Sequence, residues 1–182
     1  SYHRPRRPRT RPQAATISGR QQAMQSGVEE TMGERVEGSE VQRLRAEVVR
    51  AHDRFTALVA GIDPVVLETN PAVGSWSVRD VTGHLADWHR EMLDAAEHIL
   101  GGPKPRHHPI KHTQSFNTMS AAVRGTEPWE QVAADLEAAR DRALAFLDRL
   151  TPEQLGAIGP FPWGEVGRLH RLIEEMVEHV DE

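Results

Sequence analysis

Apolar residues recur every three to four positions through four long stretches of this chain, and each stretch predicts an amphipathic helix. The first runs from about Glu40 to Ile62, with Val41, Leu44, Val48, Phe55, Val59 and Ile62 on one face; Ser39 is placed to cap it and Gln42 to complete the cap. His52 falls on the same face, where a lone histidine is read as a hydrogen-bonded core residue. The second stretch has both ends signalled. Ser77 is its N-cap, Asp80 completes a capping box, and Trp76 is placed to pack on Val81 as a staple. Val81, Leu85, Trp88, Met92 and Ile99 make its apolar stripe, and Gly101-Gly102-Pro103 ends it.

The third stretch spans about Glu127 to Leu150, capped by Thr126 with Pro128 in the first turn, and buries Val132, Leu136, Ala139, Ala143, Leu147 and Leu150. The fourth starts near Trp163 or Gly164 and runs to the last residue, with Val166, Leu169, Leu172, Ile173, Met176 and Val180 inward. No C-cap signal follows, so the chain reads as stopping inside its last helix. Between these lie an extended connection with two prolines (Asp63–Ser75), a Pro- and His-rich loop (Gly102–Gln114), a short helix over Phe116–Val123 that packs Phe116 and Met119 downward, and a helical turn at Thr151–Leu155. Four amphipathic helices with no strand pattern predict an all-α, four-helix bundle, and the first connection is long enough to cross one end of it.

Composition divides the 182 residues in two. Residues 1–38 read as a disordered Arg/Pro-rich tail and linker, and residues 39–182 as the bundle. Residues 1–23 hold six arginines and no acid, which leaves 16 basic residues against 27 acidic ones in the rest. An acidic bundle argues against a nucleic-acid footprint. The tail reads either as a basic arm or as translated sequence upstream of a true start at Met24 or Met32. There is no cysteine, so disulfides, thiolate metal ligands and a cysteine nucleophile are excluded. With no signal peptide and no apolar run long enough to span a membrane, the expected compartment is the cytoplasm.

The candidate chemistry is carried by nitrogen and oxygen. Along the border of the second helix run Asp80, His84, Asp87, Glu91 and His98, within about 60° of one another. On the fourth helix His179 borders the apolar face with Glu175 four residues before it. His170 lies on the opposite border, so it and His179 cannot share one ion. His84 and His179 can face each other across a bundle, and two imidazoles with a third ligand and an open position suit zinc or another divalent ion that favours imidazole. The bland alternative is a pair of satisfied bundle residues. The loop histidines His107, His108 and His112, among prolines and with no acidic partner in sequence, are read as solvated.

Trp76-Ser77-Val78-Arg79-Asp80-Val81-x-x-His84-Leu85-Ala86-Asp87-Trp88 resembles the second-helix signature of the DinB/YfiT-like metalloenzyme superfamily. Phe116-Asn117, the Trp129–Leu150 helix, the Thr-Pro-Glu-Gln-Leu turn and Trp163-Gly164 before a histidine-bearing last helix are similar to it too. The likeness covers about residues 40–182. It implies an up-down-down-up bundle and a divalent metal, zinc or nickel first. In the family one histidine of the second helix and two of the last, four apart, hold the metal. His84 and His179 match two of these positions; the third falls beyond Glu182, so either that ligand is lost from the sequence as given or Glu175, one turn before His179, substitutes for it. Asp80 or Asp87 is expected to orient His84, and Trp88 and Trp163 to line the pocket. The catalytic residues themselves stay unassigned. The activity implied is that of a bacterial, cytoplasmic thiol transferase using an external low-molecular-weight thiol, or of a hydrolase, acting on an electrophilic small molecule. The alternative is a non-catalytic bundle that binds a partner or forms a homodimer around a decayed site.

Overall fold

A computed structural model describes residues 40–181. The expectations for the tail, for the start sites and for the Ser39 cap lie outside the described residues. Helix α1 covers residues 40–59, shorter than the sequence pattern by one turn. The connection after it is not simply extended. It holds a short helix α2 (Pro64–Thr69), started by the Asp63 side chain accepting from Val65 N at 2.9 Å with Pro64 in the first position. Strands β1 (Pro71–Val73) and β2 (Trp76–Ser77) then pair antiparallel around Gly74, whose φ of 59° is the left-handed conformation the turn needs.

Helix α3 (Val78–Ile99) begins where the sequence places it. The Ser77 hydroxyl accepts from Asp80 N while the Asp80 carboxylate accepts from Ser77 N, a reciprocal capping box. It is the centre of the bundle, packing against helices α4 (Thr113–Arg124), α5 (Trp129–Leu147) and α6 (Leu169–Asp181). A helix with neighbours on several sides must bury more than one stripe. Accordingly Thr82, Gly83, Ala86, His89, Leu93, Ala95 and Ala96 are buried along with Leu85, Trp88 and Met92. Leu44 and Val48 of α1, Ala143, Phe146 and Leu147 of α5, and Leu169, Leu172, Ile173 and Met176 of α6 join Trp88, Met92 and Leu93 in one core. At ~25 cal/mol per Å² of apolar surface, this burial is the main force holding the bundle.

Two boundaries differ from the sequence pattern. Helix α5 starts after Pro128 and has no side-chain cap, because Thr126 Oγ1 instead donates to Val123 O at the end of α4. Helix α6 starts at Leu169, several residues later than expected. The segment before it, after a 3₁₀ turn at Pro152–Gly156, folds into a hairpin of β3 (Ile158–Pro160) and β4 (Val166–Arg168). Glycine permits it: a Cβ at Gly159 would lie 2.6 Å from Ile99, and one at Gly167 2.5 Å from Phe161. Val166, assigned by periodicity to a buried helical face, is therefore exposed. Helix α4 starts three residues earlier than expected; Phe116 packs on the core, whereas Met119 faces outward. Among the described residues no helix is long and apolar enough to cross a membrane.

Candidate functional site

The polar border of α3 does not act as one row. Each residue in it goes to a different neighbour. Asp80 is used by the cap. Glu91 accepts from His107 Nδ1 at 2.7 Å, so this loop histidine is pinned to α3 by an acidic partner the sequence reading did not give it. His98 Nδ1 donates to the Gly102 carbonyl at 3.0 Å, tying down the helix end. Asp87 turns toward α4, where its carboxylate accepts from Arg124 Nη2 at 2.7 Å and from Ser120 Oγ.

That leaves His84. Its Nε2 lies 3.1 Å from Nε2 of His179, with the ring centroids 5.0 Å apart and the planes at 72°. So α3 and α6 bring together the two histidines that the sequence singled out. Two imidazole nitrogens bound at 2.0–2.1 Å to a tetrahedral ion are separated by about 3.3 Å. The observed spacing is close to that edge. Trp76 and Trp88 pack edge-on against the His84 ring, at 5.1 and 6.4 Å between centroids. Burial pushes the His84 imidazolium pKa down to about 4, and the neighbouring His179 pushes in the same direction against a smaller pull from Asp87. The neutral imidazole, the form that ligates metals, is therefore the resting state at neutral pH.

His84 also has an unmet hydrogen-bonding group. Its Nδ1 is buried and has no hydrogen-bond partner among the described residues. If Nε2 carries the proton toward His179, Nδ1 is a bare lone pair; if not, Nδ1–H is a donor with nothing to receive it. A buried polar atom left in this way costs about 1–3 kcal/mol. Neither Asp80 nor Asp87, the two carboxylates considered for orienting His84, hydrogen-bonds to it.

Beside the pair opens a cleft of about 210 Å³ lined by Trp88, Met92, Trp163, Glu175 and His179. Glu175 is one helical turn before His179 and shares this wall, but its carboxylate accepts from Arg171 four residues earlier. That contact is half-exposed, and such ion pairs are worth about 0–1 kcal/mol, so little opposes its rearrangement. Among the described residues, no three His, Asp or Glu side chains are gathered into a group that could hold a metal ion. The spacing of the two imidazoles fits a metal edge, and the Glu175 carboxylate lines the same cleft.

Trp88 and Trp163 both line the cleft. Trp88 is 6% exposed and belongs to the core, and its Nε1 donates to Asn117 Oδ1 at 2.9 Å. Trp163 is carried on the tight turn between β3 and β4, closed by Phe161 N donating to Glu165 O at 2.7 Å and by Gly164 at φ 97°. Its Nε1 donates to Glu165 Oε2 at 2.9 Å.

Two buried groups were not legible as such. His89 is 1% exposed, and its Nε2 lies 3.2 Å from the Met176 carbonyl. A carbonyl only accepts, so Nε2 carries the proton and Nδ1, which has no partner among the described residues, is a bare lone pair. Its ring meets that of His52 at 5.3 Å, and burial pushes the two imidazoles down to about 3 and about 4. His52 is thus a core residue as expected, but its Nε2 is not hydrogen-bonded. Arg124, with its side chain 7% exposed, is the second: it donates to Asp87, Glu127 and Asp135. A larger cleft of about 480 Å³ runs along this cluster, but its charged residues are already paired with one another.

Three comparisons bear on this arrangement. The sequence profile of the DinB superfamily matches residues 47–180. The fold is similar to that of an uncharacterised protein from Escherichia coli UTI89, with a TM-score of 0.61 and 13% identity over 77% of this chain and 86% of that one. It is also similar to a Streptococcus pneumoniae protein, with a TM-score of 0.60 and 11% identity over 78% and 88% of the two chains. A third likeness is to an uncharacterised protein from Clostridium difficile 630, at a TM-score of 0.56 and 10% identity over 78% and 93%. At these identities the likeness concerns the fold. No curated protein matches the chain.

Proposed function

Because the chain belongs to the DinB superfamily, we propose that it is a metal-dependent enzyme acting on an electrophilic small molecule, with His84, His179 and Glu175 as the protein ligands. The observation that carries the reading is the 3.1 Å approach of two half-buried imidazoles on α3 and α6, beside a cleft that Glu175 also lines. Zinc and nickel are the ions that two imidazoles and a carboxylate suit first. An ion held there supplies Lewis acidity, which makes a small thiol or a water acidic enough to attack at neutral pH. The chain's own part is to keep His84 neutral, to hold the two imidazoles against Trp76 and Trp88, and to exclude bulk water with the indoles of Trp88 and Trp163. Glu175 releases Arg171 to turn inward, while Arg171 keeps Glu178 at 3.1 Å. The absence of cysteine means that any thiol comes from outside, which is compatible with thiol transfer and equally with hydrolysis. The expected location is the cytoplasm.

The second reading, a non-catalytic bundle that binds a partner or dimerises, is favoured by one contact, the capture of Glu175 by Arg171. Turnover separates the two. The purified full chain is assayed with a low-molecular-weight thiol and a panel of electrophiles, and with ester and amide substrates, before and after chelation. The enzyme reading predicts turnover that chelation abolishes and zinc or nickel restores, and that His84→Ala lacks. Metal-free chain that turns over as well as loaded chain, or no turnover in any state, contradicts it.

A further inference from the structure

The cleft beside His179 also has a definite chemical character, and resting on the reading above, we infer that the molecule it takes is uncharged, planar and apolar where it lies against the protein. Three observations lead there. First, the walls are aromatic and soft. Trp88 and Trp163 meet at 6.3 Å between ring centroids and 60° between planes, and Phe116 at 5.0 Å and Phe161 at 5.3 Å back them from either side. The Met92 thioether completes the lining.

Second, the two indoles offer no free hydrogen-bond donor. Each indole could present an N–H to an anion, but the Trp88 N–H is given to Asn117 and the Trp163 N–H to Glu165. What the indoles present to the cleft is ring surface, which repels anions because the aromatic quadrupole is negative on its face, and the Glu175 carboxylate on the same wall repels them too. Third, no Lys or Arg lines the cleft. The nearest cation, Arg171, is bound by Glu175 and Glu178 and approaches Glu174 at 3.8 Å. It keeps two of these three carboxylates even when Glu175 turns away. A carboxylate-rich substrate would lose its water here and find no guanidinium in exchange. A cation would gain from the indole faces but would sit against the positive charge of a loaded site. The volume of about 210 Å³ is below the 300 Å³ at which drug-sized sites begin, so one ring with a short substituent fills it.

The test uses three probes built on one benzene ring: acetophenone, phthalate and benzyltrimethylammonium. Each is titrated into the full chain, metal-free and zinc-loaded, while the Trp88 and Trp163 indole N–H resonances are followed by NMR. Acetophenone is expected to shift both resonances and to bind at least tenfold more tightly than phthalate in both states, and at least tenfold more tightly than benzyltrimethylammonium in the zinc-loaded state. Trp163→Ala, at a half-buried position on the edge of the core, weakens acetophenone at least tenfold, and Trp163→Phe, which keeps an aromatic ring there, restores most of it. Phthalate binding as tightly as acetophenone in either state, or benzyltrimethylammonium binding as tightly in the zinc-loaded state, overturns the inference, as does acetophenone binding that Trp163→Ala leaves unchanged. The two readings fail separately. Zinc uptake without a preference among the probes sinks this inference alone, and the preference without zinc uptake supports the cleft and sinks the metal.

Discussion

Two polar clusters leave the same face of α3 only three residues apart, and they are finished in opposite ways. At Asp87 every group has a partner. Arg124 reaches across from α4 to bond Asp87, Glu127 and Asp135, and Ser120 supplies a hydroxyl to the same carboxylate. Burial alone would raise the Asp87 carboxyl, but the hydrogen bonds from Arg124 and Ser120 outweigh it and hold it below the usual carboxylate range. Burial likewise works against the charge of Arg124, and its three carboxylates more than compensate. At His84 the opposite holds. One nitrogen faces another imidazole and the other faces nothing. A saturated buried network rigidifies a fold, whereas two facing imidazole nitrogens are donors that an ion can use. The first cluster is structure; the second is where we place chemistry.

The contrast can be broken from either side. The largest effect is expected at Arg124. Arg124→Met leaves Asp87 with Arg90 as its remaining cation and strips Glu127 and Asp135 of theirs; it should cost about 3 kcal/mol in urea unfolding, whereas adding Asp87→Leu to it should recover much of the loss. A loss below about 1 kcal/mol would mean that the cluster is surface decoration. At the histidine pair the effect runs through the metal. Zinc at a hundredfold excess over its Kd should stabilise the wild-type chain by about 2.7 kcal/mol, with no such gain for His84→Ala.

Gly83 sits between the two clusters. A Cβ there would lie 2.5 Å from Arg124 Cγ and 2.8 Å from its Cβ, close to the backbone where the side chain cannot swing away. Gly83→Ala should therefore destabilise by about 1–3 kcal/mol, against the roughly 1 kcal/mol that helix propensity would return. A stabilised Gly83→Ala would show that the packing of Arg124 is loose.

The smallest effect is one of pH. His52 and His89 are held neutral in the fold at about 4 and about 3, while the unfolded chain protonates them near 6.5. Their folded values are depressed, so stability is full above about pH 7 and declines as pH falls through 6.5 toward 4. His52→Leu removes one of these protons from the balance. It should flatten the slope near pH 5 by roughly 1 kcal/mol per pH unit, read from denaturation midpoints across that range. An unchanged slope would mean that His52 is protonated in the folded state.

How far the sequence announced this follows from what periodicity can and cannot encode. The helices were legible because their apolar stripes and the Ser77–Asp80 capping box are local. His84 and His179 stood out because a histidine on the border of an apolar stripe is visible in a helical projection. The hairpin over Ile158–Arg168 was hidden, because Val166 continues the apolar spacing of α6 and only contacts with Ile99 and Phe161 reveal why Gly159 and Gly167 are there. His89 was hidden for a related reason. Next to Trp88 and before Arg90 it reads as an outward polar residue, and its burial follows from α3 having neighbours on several sides. Arg124 had no signal at all, since an arginine in the last turn of a short helix looks like an ordinary dipole partner. Burial by three carboxylates from α3, the α4–α5 connection and α5 is a property of the assembled fold.

The claim on which the rest depends is that His84, Glu175 and His179 form one site. Calorimetric titration of zinc into the full chain, beside His84→Ala and Glu175→Gln, tests it directly. We predict one zinc per wild-type chain, no measurable binding to His84→Ala and an affinity at least tenfold lower for Glu175→Gln. Zinc that binds both variants as tightly as the wild-type chain would contradict it.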